Sequence, residues 1–521
     1  MPNITKLRLT HFKRFKQLEI NFNPLINTII GDNEAGKSTI IQAIELVANG
    51  SRHKVESASI ESLLNKECVT EFLNGAKTIE NLPRLHAELY LSDEGNPDLV
   101  GKNNSDKANV PGLQMICEPN LELASEINQI LAEGNDNFPF EYYIVRFATF
   151  SGEAYSGYRR FLKSLTIDSA QINSEYANKE YIKTIYDSTA DHPTQIQLKN
   201  EYRQQKVEFQ SNNLNAINKT LGDYDFAIRS GAKFNLETDL TLTQDQVPID
   251  ERGKGQQCFV KTEFALARNA NGQAIDLILL EEPENHLSHT NMKRLISKIS
   301  DSHENQIIIA THNSLISTRL DLRNSILLNS STSEPLTLTA LPTSTAKFFM
   351  KAPDNNILEF VLSTKVILVE GDAEYILMSA LYKRATGKSF EEDGVHIISV
   401  GGTSFKRYMD LAKTLGIRTA VIRDNDEDYQ AKCVNNYTNH IADNIQVFAD
   451  VDNSRYTFEV CLYQDNKGIC DALFAGGGIT KPPLEFMLDN KAESALRLTD
   501  NFANDLIVPA YIIRATAWIN V

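Results

Sequence analysis

GDNEAGKST sets Gly31, Asp32, Asn33, Glu34, Ala35, Gly36, Lys37, Ser38 and Thr39 in the pattern GxxxxGK[ST]. The chemistry of such a loop is phosphate capture. Glycines let backbone N–H groups close around an anion, the lysine reaches terminal phosphates, and the first hydroxyl can hold Mg²⁺. Further along, LILLEEPENHL delivers two adjacent acids: Glu281 suits a Mg²⁺ shell and Glu282 the polarisation of an attacking water. ATHNS adds His312, an imidazole for the γ-phosphate end of the same site. Upstream, ERGKGQQ places Gly253, Lys254, Gly255, Gln256 and Gln257 at the start of a helix, a basic and amide-rich terminus suited to an anion.

A second constellation is acidic. Glu370 and Glu374 fall in EGDAE, Val400-Gly-Gly follows, and Asp424 and Asp426 fall in DND. Carboxylates gathered in one place repel unless a hard cation neutralises them, so Mg²⁺ or Mn²⁺ is the natural occupant. One DxD is a common accident in an acidic chain, whereas the ordered set is much sharper. RYTFEVCL contributes Glu459, and MLDNKAESAL contributes Lys491 on a helix.

These residues need elements to position them. LEINF alternates as a half-buried strand, and the mostly apolar LINTII reads as a buried strand leading into the phosphate loop. IIQAIELVAN is then a helix closed by Gly50. Ile275–Leu280 and Gln306–Ala310 are buried strands carrying Glu281, Glu282 and His312 at their ends. Near Thr364 a new α/β pattern begins, after a connecting segment ALPTSTAKFFMKAPDNN. KVILVE, HIISVGG and RTAVIRDND are strands alternating with helices at GDAEYILMSALYKR and FKRYMDLAKTLG. Strand ends of a parallel sheet collect on one side, so Glu370 and Asp424 converge although 54 residues separate them.

Lys37 and Glu281 are 244 residues apart, more than a minimal nucleotide fold needs, so a lobe or insertion lies between. Residues 196–220 read as a helix or short helical pair, and 93–110 and 188–195 as loops. YSGYRRFLK (155–163) is a basic, aromatic patch that could meet DNA, although a solvated face is the commoner outcome. No pattern marks a glutamine lid or an adenine-stacking residue.

The phosphate loop, the Arg252–Gln257 segment, LILLEEPENHL and ATHNS together resemble the ATP-binding-cassette heads of the SMC and RecF type. The resemblance implies that Gly253, Gly255 and Gln256 complete the ATP site of a second subunit, and hence a homodimer or higher homo-oligomer. The segment departs from the commoner serine-glycine-glycine form. The stretch between the motifs is too short for a long coiled-coil arm. The acidic set resembles the Toprim domain of topoisomerases, primases and certain nucleases. Joined in one chain, the two halves are similar to the OLD (overcoming lysogenization defect) family of nucleases.

That resemblance implies an α/β architecture: an ABC/SMC-like P-loop ATPase head at residues 1–350, a helical insertion or dimerisation region at 160–240, and a Rossmann-like Toprim domain at 362–521. It maps Glu370, Glu374, Asp424, Asp426 and Glu459 to metal-binding acids and Lys491 to a lysine steadying the scissile phosphate. ATP and Mg²⁺, with Mn²⁺ as an alternative at the acidic site, are the implied cofactors, and the implied reaction is metal-dependent DNA cleavage regulated by ATP. It also points to anti-phage defence, with a helicase-like partner or a retron reverse transcriptase and its msDNA. The residues leave open whether ATP licenses or restrains cutting. They also leave topoisomerase and primase chemistry open, although no tyrosine has a marked setting and no zinc pattern is present. A rival from another class is a DNA-end-clamping ATPase with a structural acidic domain.

Composition bounds these readings. The chain has 521 residues, 42% apolar, which excludes disorder and small disulfide scaffolds. Its 52 Lys+Arg against 68 Asp+Glu leave a net charge of −16, so any nucleic-acid surface must be a local basic patch. The first sixteen residues already hold Lys6, Arg8, Lys13, Arg14 and Lys16 with no acid among them. Six scattered cysteines without CxxC spacing point to reduced thiols. No apolar run approaches the roughly 18 residues of a membrane span, so the expectation is a cytoplasmic protein without membrane association.

Overall fold

The computed structural model describes residues 2–521 apart from 94, 135, 157–160, 173, 230, 232–234, 268–274, 303–304, 330–333, 353–355, 403 and 476–478. The chain forms two compact units, Met1–His312 with Leu328–Pro335, and Asn313–Leu327 with Leu336–Val521. The second unit thus takes in residues ahead of the boundary at 362 read from the sequence.

In the first unit, four strands form a parallel array in the order Ser164–Asp168, Leu277–Glu281, Gln306–Thr311 and Ile26–Gly31; the last three are the expected apolar runs, whereas Ser164–Asp168 falls inside the stretch 160–240 expected as a helical insertion. Parallel strands covered on both faces need such runs, because neither face can present polar side chains to water. The register matters for function. Asp168 pairs with Glu281, Glu281 with Ala310, and Thr311 with Ile30, so every chemistry-bearing terminus reaches the same edge. A second, antiparallel sheet has the order Phe15–Asn21, Ile4–Phe12, Leu85–Leu91 and Val110–Pro119. Tyr143–Thr149 and the short Val100–Gly101 both pair with its last strand.

The helix Lys37–Asn49 leaves the phosphate loop at Gly36 and ends at Gly50, whose N–H donates to the Leu46 carbonyl. Gly36 has φ 98°, and a Cβ there would lie 2.5 Å from the Phe15 ring, so both conformation and space require glycine. Its apolar residues Ile40, Ile41, Ile44 and Val47 are all buried, which fixes the phosphate loop to the core.

Three local expectations change in three dimensions. The N-terminal cations acquire acids from elsewhere: Lys6 and Arg8 each pair with Asp106 at 2.5 Å, and Lys16 pairs with Glu67 and Glu71. Residues 188–195 are almost wholly helical. Helix Glu175–Thr189 is followed at once by helix His192–Phe209, because Asp191 caps the second and Pro193 suits its first turn. The stretch 93–110 contains the short strand Val100–Gly101, paired with Val110–Pro111. Helix His192–Phe209 continues through turns at Gln210–Leu214 and Asn215–Asn218, close to the helical pair expected. Of the basic aromatic patch, residues 157–160 lie outside the described residues, and Tyr155 is buried with its hydroxyl donating to the Val47 carbonyl at 2.6 Å.

In the second unit a parallel sheet has the order Val395–Ser399, Lys365–Val369, Arg418–Ile422 and Ile445–Phe448. Helices Asp372–Thr386, Lys491–Phe502 and Ala510–Ile519 pack a core that includes Val369, Leu377, Leu381, Leu498, Tyr511 and Ile512. The strands ending before Glu370 and before Arg423–Asp424 are adjacent, with Leu368 opposite Val421, and so deliver both acids side by side. All six cysteines are buried and free. No helix among the described residues is long and apolar enough to cross a membrane.

Candidate nucleotide and acidic sites

The phosphate loop is held by its own lysine. Lys37 Nζ donates to the carbonyls of Gly31 at 2.7 Å and Asp32 at 3.0 Å. Burial lowers its proton affinity, and Glu282, Asp32 and Glu284 oppose that loss. Ser38, the next residue, hydrogen-bonds Glu281. Burial first, then Asp168 and Glu282, push the Glu281 carboxyl above the ordinary range, a penalty that a cation at Ser38 and Glu281 would relieve.

Glu282 sits at φ 45°, with its N–H on the Ala310 carbonyl and one carboxylate oxygen accepting from Asn285 Nδ2 at 2.7 Å. Its other oxygen is 3.6 Å from His312 Nδ1. Sequence reasoning missed Glu284. This buried acid accepts from Thr311 Oγ1 at 2.5 Å and from the His312 N–H at 3.1 Å, joining the ends of two strands. The signal was present as the third acid of EEPEN. Gln171 was missed too: it follows the strand ending at Asp168, donates to Asp168 at 2.8 Å, and shares a cavity of about 790 Å³ with Ser38, Gln42 and Glu281.

Helix Lys254–Ala267 begins with Gly253, Lys254 and Gln256 exposed. Gly255 lies against the turn after Glu282, where a Cβ would stand 2.1 Å from the His286 carbonyl oxygen. Adenine-stacking side chains remain without a marker.

In the second unit, Glu370, Glu374, Asp424, Glu459 and Lys491 come together. Glu374, at the third position of its helix, reaches back to the Gly371 N–H at 3.2 Å, fixing the turn after Glu370. Asp424 accepts the Phe458 N–H at 2.7 Å, and the next residue is Glu459, only 2% exposed. Lys491 Nζ donates to Glu459 Oε2 at 3.0 Å. Burial, and then Glu374, Glu459 and Glu370, push Asp424 up to about 8. Burial, then Glu459 and Glu370, push Glu374 up to about 7. Burial works against the Lys491 ammonium, but Glu459, Asp424 and Glu374 hold it charged.

Asp426 lies on the exposed side of this knot, and its charge acts on Glu370. It is half exposed, has φ 46°, and is paired at 3.0 Å with Arg423, a buried cation that sequence reasoning missed and whose charge also acts on Glu370. Asn425, between the two aspartates, is buried and donates to the carbonyls of Asp450 and Asp452, which anchors the loop.

Among the described residues, no three His, Cys, Asp or Glu side chains are arranged as a ready ligand set. The donor chemistry nevertheless fits a hard cation. Glu370 Oε2 and Glu459 Oε1 are buried without a hydrogen-bond partner, and four carboxylates face one ammonium.

Fold and site define a P-loop ATPase head joined to a Toprim-type α/β domain. The chain belongs to the family described as AAA domain, whose profile matches residues 6–329, and it carries an overcoming lysogenization defect protein-like TOPRIM domain at 361–426. This pairing is the OLD family arrangement. The chain is similar to the DNA replication and repair protein RecF of Halalkalibacterium halodurans, 32% identical over 93 residues, 18% of this chain and 24% of that protein. It is similar to RecF of Limosilactobacillus reuteri, 29% identical over 93 residues with the same shares, 18% and 24%. The chain thus spans about a quarter of the length of these curated relatives. Among solved structures, the recombination mediator protein RecF aligns at TM-score 0.36 and 10% identity, covering 65% of this chain and 98% of that one. The C-terminal region of the Xanthomonas campestris pv. campestris OLD protein aligns at TM-score 0.24 and 21% identity, covering 30% and 94%.

Proposed function

We propose that this protein is an ATP-regulated, divalent-metal-dependent DNA endonuclease. The observation that carries the reading is the acidic knot, in which Glu370 and Glu459 raise the proton affinity of Glu374 and Asp424 beside Lys491. A protein does not hold unneutralised carboxylates together without cost, and a cation-binding role explains the arrangement. Glu370, Glu374, Asp424 and Glu459 are the proposed ligands, with Asp426 joining them on release from Arg423. When bound, divalent ions supply positive charge that draws a phosphate oxygen and acidifies water. Asp424 and Glu370 would hold those ions in place, and Lys491 offsets charge growing on the scissile phosphate.

In the head, Asp32 to Thr39 cradle the phosphates, Ser38 and Glu281 hold Mg²⁺, and Glu282, oriented by Asn285 and His312, directs water. Gln171 is proposed as the glutamine that senses this site. Gly253, Gly255 and Gln256 would complete it from a second copy, which makes a homodimer the working assembly. An anti-phage role, with retron components or a helicase-like partner, rests on the family resemblance. Phage plating with strains carrying Lys37→Ala or Asp424→Ala tests it: both should lose protection.

Supercoiled DNA incubated with Mg²⁺ or Mn²⁺ should be nicked or linearised by the wild type and left intact by Asp424→Ala. Equal cleavage by both overturns the assignment. The second reading, a DNA-clamping ATPase with a non-catalytic acidic domain, is favoured by the absence of a ready ligand set among the described residues. It predicts ATP-dependent DNA association, no strand scission, and indifference to Glu370 or Asp424 substitution.

A further inference from the structure

The antiparallel sheet of the first unit carries a groove that the nucleotide site does not use. Its volume is about 800 Å³, and its lining includes Arg52, His86, Asn103, Lys107, Gln114 and Arg146. The floor is built by register. His86 pairs with Ile116 and Ile116 with Arg146, while Gln114 pairs with Ala148, so these side chains come to one face across three neighbouring strands. The opposite face of the same strands is core, with Ala87, Met115 and Cys117 buried.

Among the described residues no carboxylate lines the groove, although the chain as a whole carries a charge of −16. The nearest acids are already paired. Asp106, in the loop that forms one wall, is taken by Lys6 and then Arg8, which hold its carboxyl down to about 2. Glu88, two residues from His86 on the same strand face and opposite Gln114, is fully buried; it lies 3.7 Å from His86 Nδ1 and accepts from the Ser105 N–H at 2.8 Å and from Tyr90 Oη at 3.3 Å. Asn104, also buried, hydrogen-bonds the carbonyls of Gly101 and Ala108 and the Ala108 N–H, which holds the wall in place. Lys107 follows at φ 54°, exposed. Arg146 is more than half exposed and paired with Glu118, which Arg84 also approaches at 3.9 Å. Arg52 is exposed at the start of the helix after the P-loop helix.

We propose that this groove binds the phosphodiester backbone of a nucleic-acid strand through Arg52, Lys107 and Arg146, with His86, Asn103 and Gln114 as polar contacts on its floor. An acid-free, cationic concavity in an acidic protein is an electrostatic trap for a polyanion. Its aromatic neighbours are buried, Phe147 at 4% and Tyr155 at 6% exposure, so the groove offers charge and hydrogen bonds rather than a base-stacking platform. Recognition is therefore of backbone and not of sequence. The inference rests on the nuclease reading only for the identity of the polyanion.

The test uses the full chain in an Asp424→Ala background, so that scission does not intervene, with fluorescent oligonucleotides titrated at several salt concentrations. Lys107→Ala, Arg146→Ala and Arg52→Ala should each weaken binding about threefold to tenfold, whatever the base sequence. Each should also reduce the slope of log affinity against log salt by about 1. Thermal melting of each variant separates a lost contact from a lost fold, and Lys107→Arg should restore binding. Unchanged affinity and slope in all three overturns the proposal, as does an effect confined to inorganic tripolyphosphate. Wild-type cleavage with groove-indifferent binding would leave the nuclease reading standing and remove this one. Groove-dependent binding without cleavage would do the reverse.

Discussion

Lys491 Nζ donates to Glu459 Oε2 at 3.0 Å while the other Glu459 oxygen is buried without a partner. One end of that carboxylate is thus committed to a cation of the chain, while its charge acts on Asp424 and Glu374.

Replacing Lys491 with alanine removes the ammonium and leaves Glu459 buried and unpaired. Cleavage should fall about a hundredfold or more, as when a transition-state donor is lost. Lys491→Arg should recover part of it. Initial nicking rates at saturating Mn²⁺ measure this, and a rate within twofold of wild type would remove Lys491 from the mechanism.

Metal binding should be proton-linked. With Glu374 at about 7 and Asp424 at about 8, both are raised, so the metal-free fold binds more protons than the unfolded chain above the ordinary carboxylate range of about 4. Because the native state holds the extra protons, metal-free stability should decrease as pH rises to about 8. Mn²⁺ affinity should move the other way, strengthening from about pH 6 to about pH 9 as metal displaces those protons. Calorimetry in two buffers of different ionisation enthalpy would report the proton release.

Glu284→Ala should destabilise the head by about 1 to 3 kcal/mol, because Thr311 Oγ1 and the His312 N–H lose a buried acceptor. Glu284→Gln retains an acceptor oxygen and should cost less. Chemical denaturation of the two variants gives the comparison, and equal stabilities would show that the bridge between the strands contributes nothing.

Gly255→Ala places a methyl 2.1 Å from the His286 carbonyl oxygen and must push the start of helix Lys254–Ala267 off the turn that follows Glu282. ATP hydrolysis should drop sharply, and the melting temperature should fall as for an overpacked site costing about 1 to 3 kcal/mol. Gly253→Ala, where a Cβ meets open space, is the matched control and should melt like the wild type.

Lys37→Ala should abolish ATP's influence on cleavage in whichever direction it acts. Cleavage by the variant, measured with and without ATP, should be the same, and a retained ATP effect would separate the switch from the phosphate loop.

Much of this was legible in the chain itself. The phosphate loop, the strands before Glu281, His312, Glu370 and Asp424, and the helix closed by Gly50 were readable because their signals are local: apolar runs, glycines and spacing. Other features depended on which strands became neighbours. Glu284 had no visible partner until Thr311 arrived from the adjacent strand, Asp106 showed no tie to Lys6 until the sheet brought them together, and Arg423 could not be seen to pair with Asp426. The sequence by itself determined the residue types and the edge of each sheet they would reach. Only tertiary structure decided which charges met, because electrostatic pairing depends on distance in space and burial, and neither is written in spacing along the chain.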